Sequence, residues 1–412
     1  MSSGYNNLKL LTSSLISNTI LAAAATGARQ LTARHVSVFA IAILAGCVIR
    51  YAFLDHRTAD YVTWLKPWWD EASTEGFSAL AHGFTNYAPP YEYLLVVATM
   101  FGNVSALTGV KAISLVFEIA NAVIAARIVA NCGLCKTLQL AAAAALWLAP
   151  SVIYNGAGWG QADAIWTTFV LLGALASLRS RPSAGLAFGA AFAIKAQGIF
   201  AGPAALGLAL RNARSFAALA IGFPLAVAAL WVLPLLLGRD LSDVLMVYVA
   251  QSGTYHYLSA NAANPWFLVP NDYYSIGVKV GLALALACGV AIAALARRAC
   301  TPRQVLAVLA LSCFAMPYVL PKMHDRYFYS GELLLILMAF ADRRWLHLAV
   351  LAQVSAIYAY FVFDGIADDL IYVAVLLNTY VLGRAVTLVL SDLGDARMAG
   401  KFGGKHISAA ST

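Results

Sequence analysis

The fold class this sequence predicts is an all-α polytopic membrane protein, and three observations carry it. The chain of 412 residues is 61% hydrophobic and only 11% charged, which no ordinary soluble domain matches. Apolar segments of roughly 17–22 residues recur along it, the length a helix needs to cross the hydrocarbon core. Basic residues gather in alternate gaps between those segments, as the positive-inside rule requires.

Element by element, a cytoplasmic N-terminal segment (1–34) precedes a first span at 35–54. That segment is polar, with an apolar patch at 8–25 that suits a surface helix, and it lacks a convincing cleavage signal. Residues 55–110 are too polar for one more simple span. They read as a long outer loop with interfacial helices, and the apolar run 91–108 is kept on the outer side. Later spans fall near 111–130, 138–154, 164–178, 184–194, 200–210 and 216–237. An outer loop (238–273) follows, then spans near 274–296, 305–320, 328–341, 346–363 and 370–389, and a basic tail (391–412). This bundle of about twelve transmembrane helices places both termini inside. The inner gaps then hold Arg127 and Lys136, Arg179 and Arg181, Arg211 and Arg214, Arg297, Arg298 and Arg303, and Arg343 and Arg344. The chain divides into a first module (35–237), the outer loop and a C-terminal transmembrane module (274–390).

The net charge of +8 is mostly this inner-face bias, so it argues for membrane lipids and against nucleic acid as a partner. Six cysteines include one Cys132-Gly-Leu-Cys135 pair, but no second pair or nearby histidines complete a zinc site, so ordinary thiols are expected. On the outer side, Lys66, Lys111, Lys195, Arg239, Lys322 and Arg326 stand against the charge bias. An anionic ligand on that face is the simplest local reason.

The candidate residues lie in five constellations. Leu320-Pro-Lys-Met-His-Asp-Arg-Tyr-Phe-Tyr329 packs Lys322, His324 and Arg326 between apolar runs, where charge is expensive and marks a candidate site. Two fixed cations and an imidazole suit a phosphate, and Lys195, beside Gln197 at the end of a very short span, would complete the cradle. Asp60-Tyr61 opens a Trp-rich interfacial helix, and a carboxylate there suits a general base. Asn86-Tyr87-Ala-Pro-Pro-Tyr91 is stiffened by its prolines. Asn155-Gly-Ala-Gly-Trp159-Gly-Gln161-Ala-Asp163 forms a polar turn whose amides can bond hydroxyls. The loop carrying His256, Asn264 and Trp266 fits carbohydrate contact or rest on the membrane.

In this order the pieces resemble the GT-C superfamily of polyprenyl-phosphate-sugar-dependent glycosyltransferases. They are similar to the endoplasmic-reticulum glucosyltransferases that use dolichyl-phosphate-glucose, and to bacterial relatives. Asp60-Tyr61 through Trp69-Asp-Glu71 matches an Asp-Tyr helix ending in Trp-x-Glu-like residues, and Tyr87-Ala-Pro-Pro90 matches Tyr-Pro-Pro with one residue inserted. Ile194-Lys-Ala-Gln197 resembles Tyr-Lys-Gln, His324-Asp-Arg326 resembles His-Glu-Lys, and Asn264-Pro-Trp266 resembles Asn-x-Trp. Trp159-Gly-Gln-Ala-Asp163 replaces His-Phe-Gln-Tyr-Asn and leaves the sugar open.

The resemblance, over about residues 35–335, implies a GT-C-like bundle with a catalytic module at 35–237. It implies inverting transfer of a hexose such as glucose or mannose from a polyprenyl-phosphate donor to a hydroxyl of a lipid, glycan or protein acceptor. Asp60 would be the catalytic base, and Lys195, His324, Arg326 and Lys322 would hold the donor phosphate. Tyr61, Asn86, Tyr87, Tyr91, Asn155, Trp159, Gln161, Asp163, Gln197, His256, Asn264 and Trp266 would line the sugar and acceptor sites. No metal or other cofactor is expected, and the setting is a bacterial inner membrane with the site facing the periplasm. The competing classes are a transporter or flippase of a lipid-linked or anionic substrate, and another lipid-dependent membrane transferase.

Overall fold

A computed structural model describes residues 31–403 of the chain. The expected surface helix at 8–25 and the end of the tail lie outside them. Sixteen α-helices occur among the described residues: α1 (Ala33–Ala52), α2 (Lys66–Glu75), α3 (Pro89–Thr99), α4 (Ala106–Asn131), α5 (Lys136–Trp147), α6 (Pro150–Ile153), α7 (Asp163–Leu178) and α8 (Ser183–Ile194). They continue as α9 (Gly202–Ala209), α10 (Ala213–Leu236), α11 (Leu241–Gly253), α12 (Tyr274–Ala296), α13 (Pro302–Val319), α14 (Tyr329–Ala341), α15 (Leu346–Phe363) and α16 (Leu370–Gly403). The chain is an all-α integral membrane protein. Seven helices are long and apolar enough to cross a bilayer, and α5 with the Pro150–Gly158 segment, bent by 46°, counts as an eighth if the pair crosses as one span. Four shorter apolar helices, among them α7, α8 and α14, pack inside the bundle.

The bend shows how the sequence sets the local structure. Pro150 lacks an N–H and cannot continue the helix that ends at Trp147, which leaves backbone groups that must find partners elsewhere. The Trp147 carbonyl accepts from an Arg50 guanidinium nitrogen at 2.9 Å, and the Ser151 N–H donates to the Gln353 side chain at 3.1 Å. Arg50 is itself held by Glu118, Nε to Oε2 at 2.8 Å, so one buried pair ties α1, α4 and α5 together. The sequence predicts one span at 138–154, and the proline breaks its helix.

Helix α8 crosses α10 at small residues. A Cβ added at Gly185 would meet the Ala218 carbonyl oxygen at 2.3 Å, and one at Gly189 would meet that of Phe223 at 2.3 Å. Such contacts let backbones approach closely where no hydrophobic effect drives helices together. Helix α13 begins with a capping box, Thr301 reciprocally bonded with Gln304, and Pro302 stands in its first turn. At that end of the bundle Arg303 and Arg344 pair with Asp342 and Asp392, joining α13, α16 and the turn before α15 (Arg344 to Asp342 2.6 Å, Arg303 to Asp392 3.2 Å).

At the other end, two loops meet in a two-residue parallel ladder, Ser259–Ala260 against Met323–His324. The loop 238–273 also holds α11, an element the sequence does not predict. The run 91–108 is not one helix: α3 stops at Thr99 and α4 starts at Ala106, where Ser105 accepts from the Thr108 N–H.

Candidate functional site

The site forms where the chain leaves regular helix. Two π-helical turns, Tyr61–Leu65 and Tyr154–Gly158, flank it; such wide turns are rare and often sit at functional positions. Asp60 immediately precedes the first turn, and Asn155 lies in the second. Gly160, at φ +69°, then reverses the chain into α7, a conformation a side chain would strain.

These turns bring Asp60 and Gln161 into contact across a hundred residues. Gln161 Nε2 donates to Asp60 Oδ2 at 2.8 Å. The amide is oriented by its other contacts: Tyr87 donates its hydroxyl proton to Gln161 Oε1 at 3.3 Å, and the Gln161 carbonyl accepts from Ser114 at 2.7 Å. Asp60 is the partly open carboxylate of the group, with 18% of its side chain exposed, and Asp163 has none.

Asp163 is the buried hub behind the wall. Its Oδ1 accepts from Lys195 Nζ at 2.6 Å and Trp166 Nε1 at 3.0 Å, and its Oδ2 accepts from Asn155 Nδ2 at 2.9 Å. Lys195 arrives there because α8 stops at Ile194 and the backbone turns extended, at φ −154° and ψ 137°. A buried pair of this kind is costly to break, because either partner alone would be an uncompensated charge.

Arg326 is placed differently. It faces Asp60 at 3.4 Å, Asp325 at 3.4 Å and Asp163 at 3.6 Å, all long contacts, and lies over the Trp159 ring at 5.5 Å. Its Nε is buried without a hydrogen-bond partner. Burial opposes its charge, but Asp60, Tyr87, Asp325 and Asp163 outweigh that and hold its pKa above the ordinary arginine value. It is a committed cation with unspent donors.

The other cations expected on the outer side have partners within the protein. Lys111 Nζ caps the end of α1 through the carbonyls of Phe53, Leu54 and His56 at 2.6, 3.1 and 2.7 Å. Arg239 pairs with Glu92 at 3.1 Å, and Lys66 with Asp70. Lys322, at φ +63°, donates to the Ser252 carbonyl at 2.5 Å and the Tyr274 hydroxyl at 2.6 Å. The expectation that these cations require an external anion therefore narrows to Arg326. His324 is no third cation either. Burial, then Arg326 and Lys195, push its pKa down to about 3, so it stays a neutral imidazole packed between Tyr255 and Tyr327.

A cavity of about 590 Å³ opens in front of this group, within the range that holds small-molecule ligands. Asp60, Gln161, Lys322, His324 and Arg326 line it, as do Asn86, Tyr87 and Gln197 of the expected sugar and acceptor residues. The buried Asn86 Oδ1 and Gln197 Oε1 have no protein partner, so two acceptors are free for a hydroxyl-rich ligand. Lys195, Asn155, Trp159 and Asp163 stand behind the wall and position it. Tyr61 is buried in the core, and Tyr91 packs there against Trp68 and Tyr87. Asn264 Nδ2 donates to the Pro317 and Leu320 carbonyls at 3.0 and 3.2 Å, and Trp266 Nε1 to that of Val319 at 2.7 Å. They cap the C-terminal end of α13, whose last carbonyls have no helical partner, and so fix the loop that presents Arg326. His256 is exposed, and its ring lies by Tyr274, outside the cavity.

The sequence reading missed Gln251, Tyr327 and Phe363 on the cavity wall, and Tyr360, whose hydroxyl lies 3.3 Å from Asn155 Nδ2. Phe363 and Tyr360 sit at the end of an otherwise apolar helix, where nothing in the sequence separates them from core aromatics. Glu71, Glu75 and His82 bring ligand atoms within 4.8 Å of one another on exposed surface, and none of them lines the cavity. No family model and no curated protein matches the chain.

Proposed function

We propose that the protein is an inverting glycosyltransferase that moves a hexose, such as glucose or mannose, from a polyprenyl-phosphate donor to a hydroxyl of a lipid, glycan or protein acceptor. The single observation that carries this reading is Arg326. It is a buried guanidinium on the wall of a ligand-sized cavity, beside the one partly open carboxylate, and all its carboxylate contacts are long, with Nε facing Asp163 Oδ2 at 3.6 Å. A group that keeps donors unspent in a buried setting calls for an anionic acceptor, and a phosphate oxygen matches the guanidinium fork.

In this scheme the donor phosphate takes the Arg326 donors and draws them from Asp60. The carboxylate, loosened from its cation, then accepts the proton of the acceptor hydroxyl. The hydroxyl oxygen attacks the anomeric carbon from the face opposite the phosphate. The carbon–oxygen bond to phosphate breaks, and the configuration inverts. Negative charge grows on the departing polyprenyl phosphate, where Arg326 stabilises it. Gln161 holds Asp60 in register, and Asn86, Tyr87 and Gln197 supply hydroxyl contacts. Because guanidinium provides the charge compensation, the scheme needs no metal.

The topology proposed with it counts the seven long helices, the bent pair and the four short ones as about twelve spans. Both termini then face the cytoplasm and the cavity faces the periplasm of a bacterial inner membrane. The bent pair and the break at Lys195 favour one second reading, a transporter of the same lipid, since broken helices often form transport sites. Purified protein in detergent micelles, given a panel of polyprenyl-phosphate hexoses and acceptor alcohols, should release polyprenyl phosphate and form a product of inverted configuration. Donor binding with no release from any of them would favour transport.

A further inference from the structure

We propose a second lipid site at the end of the bundle remote from the Asp60 cavity: an anionic phospholipid held by its phosphate on Arg181, Arg211 and Arg214, with one acyl chain in the cleft beside α8. This goes beyond the glycosyltransferase reading and does not depend on it.

Two openings meet there. A cavity of about 330 Å³ is lined by Arg181, Arg211 and Arg214 together with Ser177, Ser180 and Asn212. A cleft of about 470 Å³ is walled by apolar side chains of α7, α8 and α10, among them Phe169, Leu172, Leu186 and Leu230, and carries Arg179 and Arg181. Arg181 lines both, so a polar chamber and an apolar groove share one guanidinium. The close crossing of α8 and α10 at Gly185 and Gly189 leaves these openings on its two sides.

The charge at this point is unspent. Among the described residues none of Arg181, Arg211 and Arg214 has a carboxylate within ion-pair distance. The neighbouring basic cluster at the same end of the bundle differs, because Arg303 and Arg344 are matched by Asp342 and Asp392. Charge bias alone would explain arginines at this end, but not why one cluster is neutralised and the other surrounds a cavity. Arg179 is oriented by Asn131, Nε to Oδ1 at 2.8 Å. The N-termini of α8 and α10 adjoin the same chamber and add partial positive charge. A free anion would gain nothing from the apolar cleft. An anionic lipid satisfies both halves, and basic pockets between helices at a membrane face are suited to such headgroups.

The test is native mass spectrometry of the full chain in detergent, titrated with phosphatidylglycerol or with phosphatidylcholine of the same acyl chains. Wild type should retain phosphatidylglycerol preferentially, and Arg181→Gln should cut that preference about fivefold, the usual weight of one basic residue at an anionic surface. Leu186→Trp, which fills the cleft and keeps every charge, should also lower retention. Millimolar inorganic phosphate should not displace the bound lipid. Equal retention of the two lipids by wild type, an undiminished preference in both variants, or displacement by phosphate would each overturn the proposal.

Discussion

Arg326 and Lys195 are both buried cations near the same carboxylates, yet their geometry divides them. Lys195 is satisfied by Asp163 at 2.6 Å, whereas Arg326 reaches its carboxylates only at 3.4 to 3.6 Å. Arg326→Ala should therefore raise the donor KM more than the acceptor KM, by about tenfold or more for loss of a charge-assisted phosphate contact. Equal effects on the two would count against a phosphate role. Asn264→Ala should leave the cavity lining intact but lower stability by about 1–3 kcal/mol, because the Pro317 and Leu320 carbonyls lose their donor; thermal unfolding in detergent measures it. His324 gives a pH signature. Its folded pKa, about 3, lies below the ordinary 6.5, so between those values the unfolded chain binds the extra proton and stability falls as pH falls. Asp325 works in the opposite sense, since burial pushes its pKa up to about 7 and its contribution is lost as pH rises towards that value. The two slopes oppose each other between pH 4 and 6.5, so His324→Gln should unmask a loss of stability with rising pH in denaturant titrations. An unchanged slope would contradict the neutral imidazole. What the sequence made legible at this scale was the cost of charge in an apolar chain, which singled out Asp60 and Arg326. A lone lysine does not reveal its partner, and only the fold shows that Lys111 is spent on carbonyls and Lys195 on Asp163.

Helices give way where the site is built. The first π-helical turn puts Trp64 and Leu65 on the cavity wall and the stop of α8 brings Ala196 and Gln197 there, while the second π-helical turn, after Pro150, holds Asn155 behind it. Apolar run length made most of the long helices legible, and alternating basic gaps set their order. Short elements were less visible: α11 is a helix of 13 residues in a loop, too short to read as a span and too polar at its start. The bend at Pro150 was hidden because the apolar run continues through it, and its orphaned groups are satisfied by Arg50 and Gln353 from distant helices. The α8–α10 crossing offers a direct check on packing. Gly189→Val should clash with the Phe223 carbonyl and destabilise the protein by about 1–3 kcal/mol, the usual cost of overpacking. A melting temperature equal to that of wild type would mean that the helices do not meet there.

Across the whole molecule, the proposed topology makes the cavity recessed. Helix α8 has only 12 residues, so its end at the site lies about 18 Å from its other end, well short of a hydrocarbon core of about 30 Å. A cavity at that depth suits a ligand whose charged group is joined to a chain that remains in the bilayer, and suits a nucleotide sugar poorly. The proposed sidedness can be read with single cysteines in a cysteine-free background. Thr254→Cys, exposed beside the cavity, should react with an impermeant maleimide from the periplasm, and Thr301→Cys, exposed at the opposite end, only after the membrane is opened. The reverse pattern would invert the topology. The central claim is that Asp60 is the base of a transfer reaction whose phosphate is handled by Arg326. Asp60→Asn tests it most directly in the polyprenyl-phosphate-hexose assay. Loss of a general base predicts a fall in kcat of about 10²- to 10⁴-fold with melting temperature and donor binding retained, and wild-type turnover by Asp60→Asn would contradict the account.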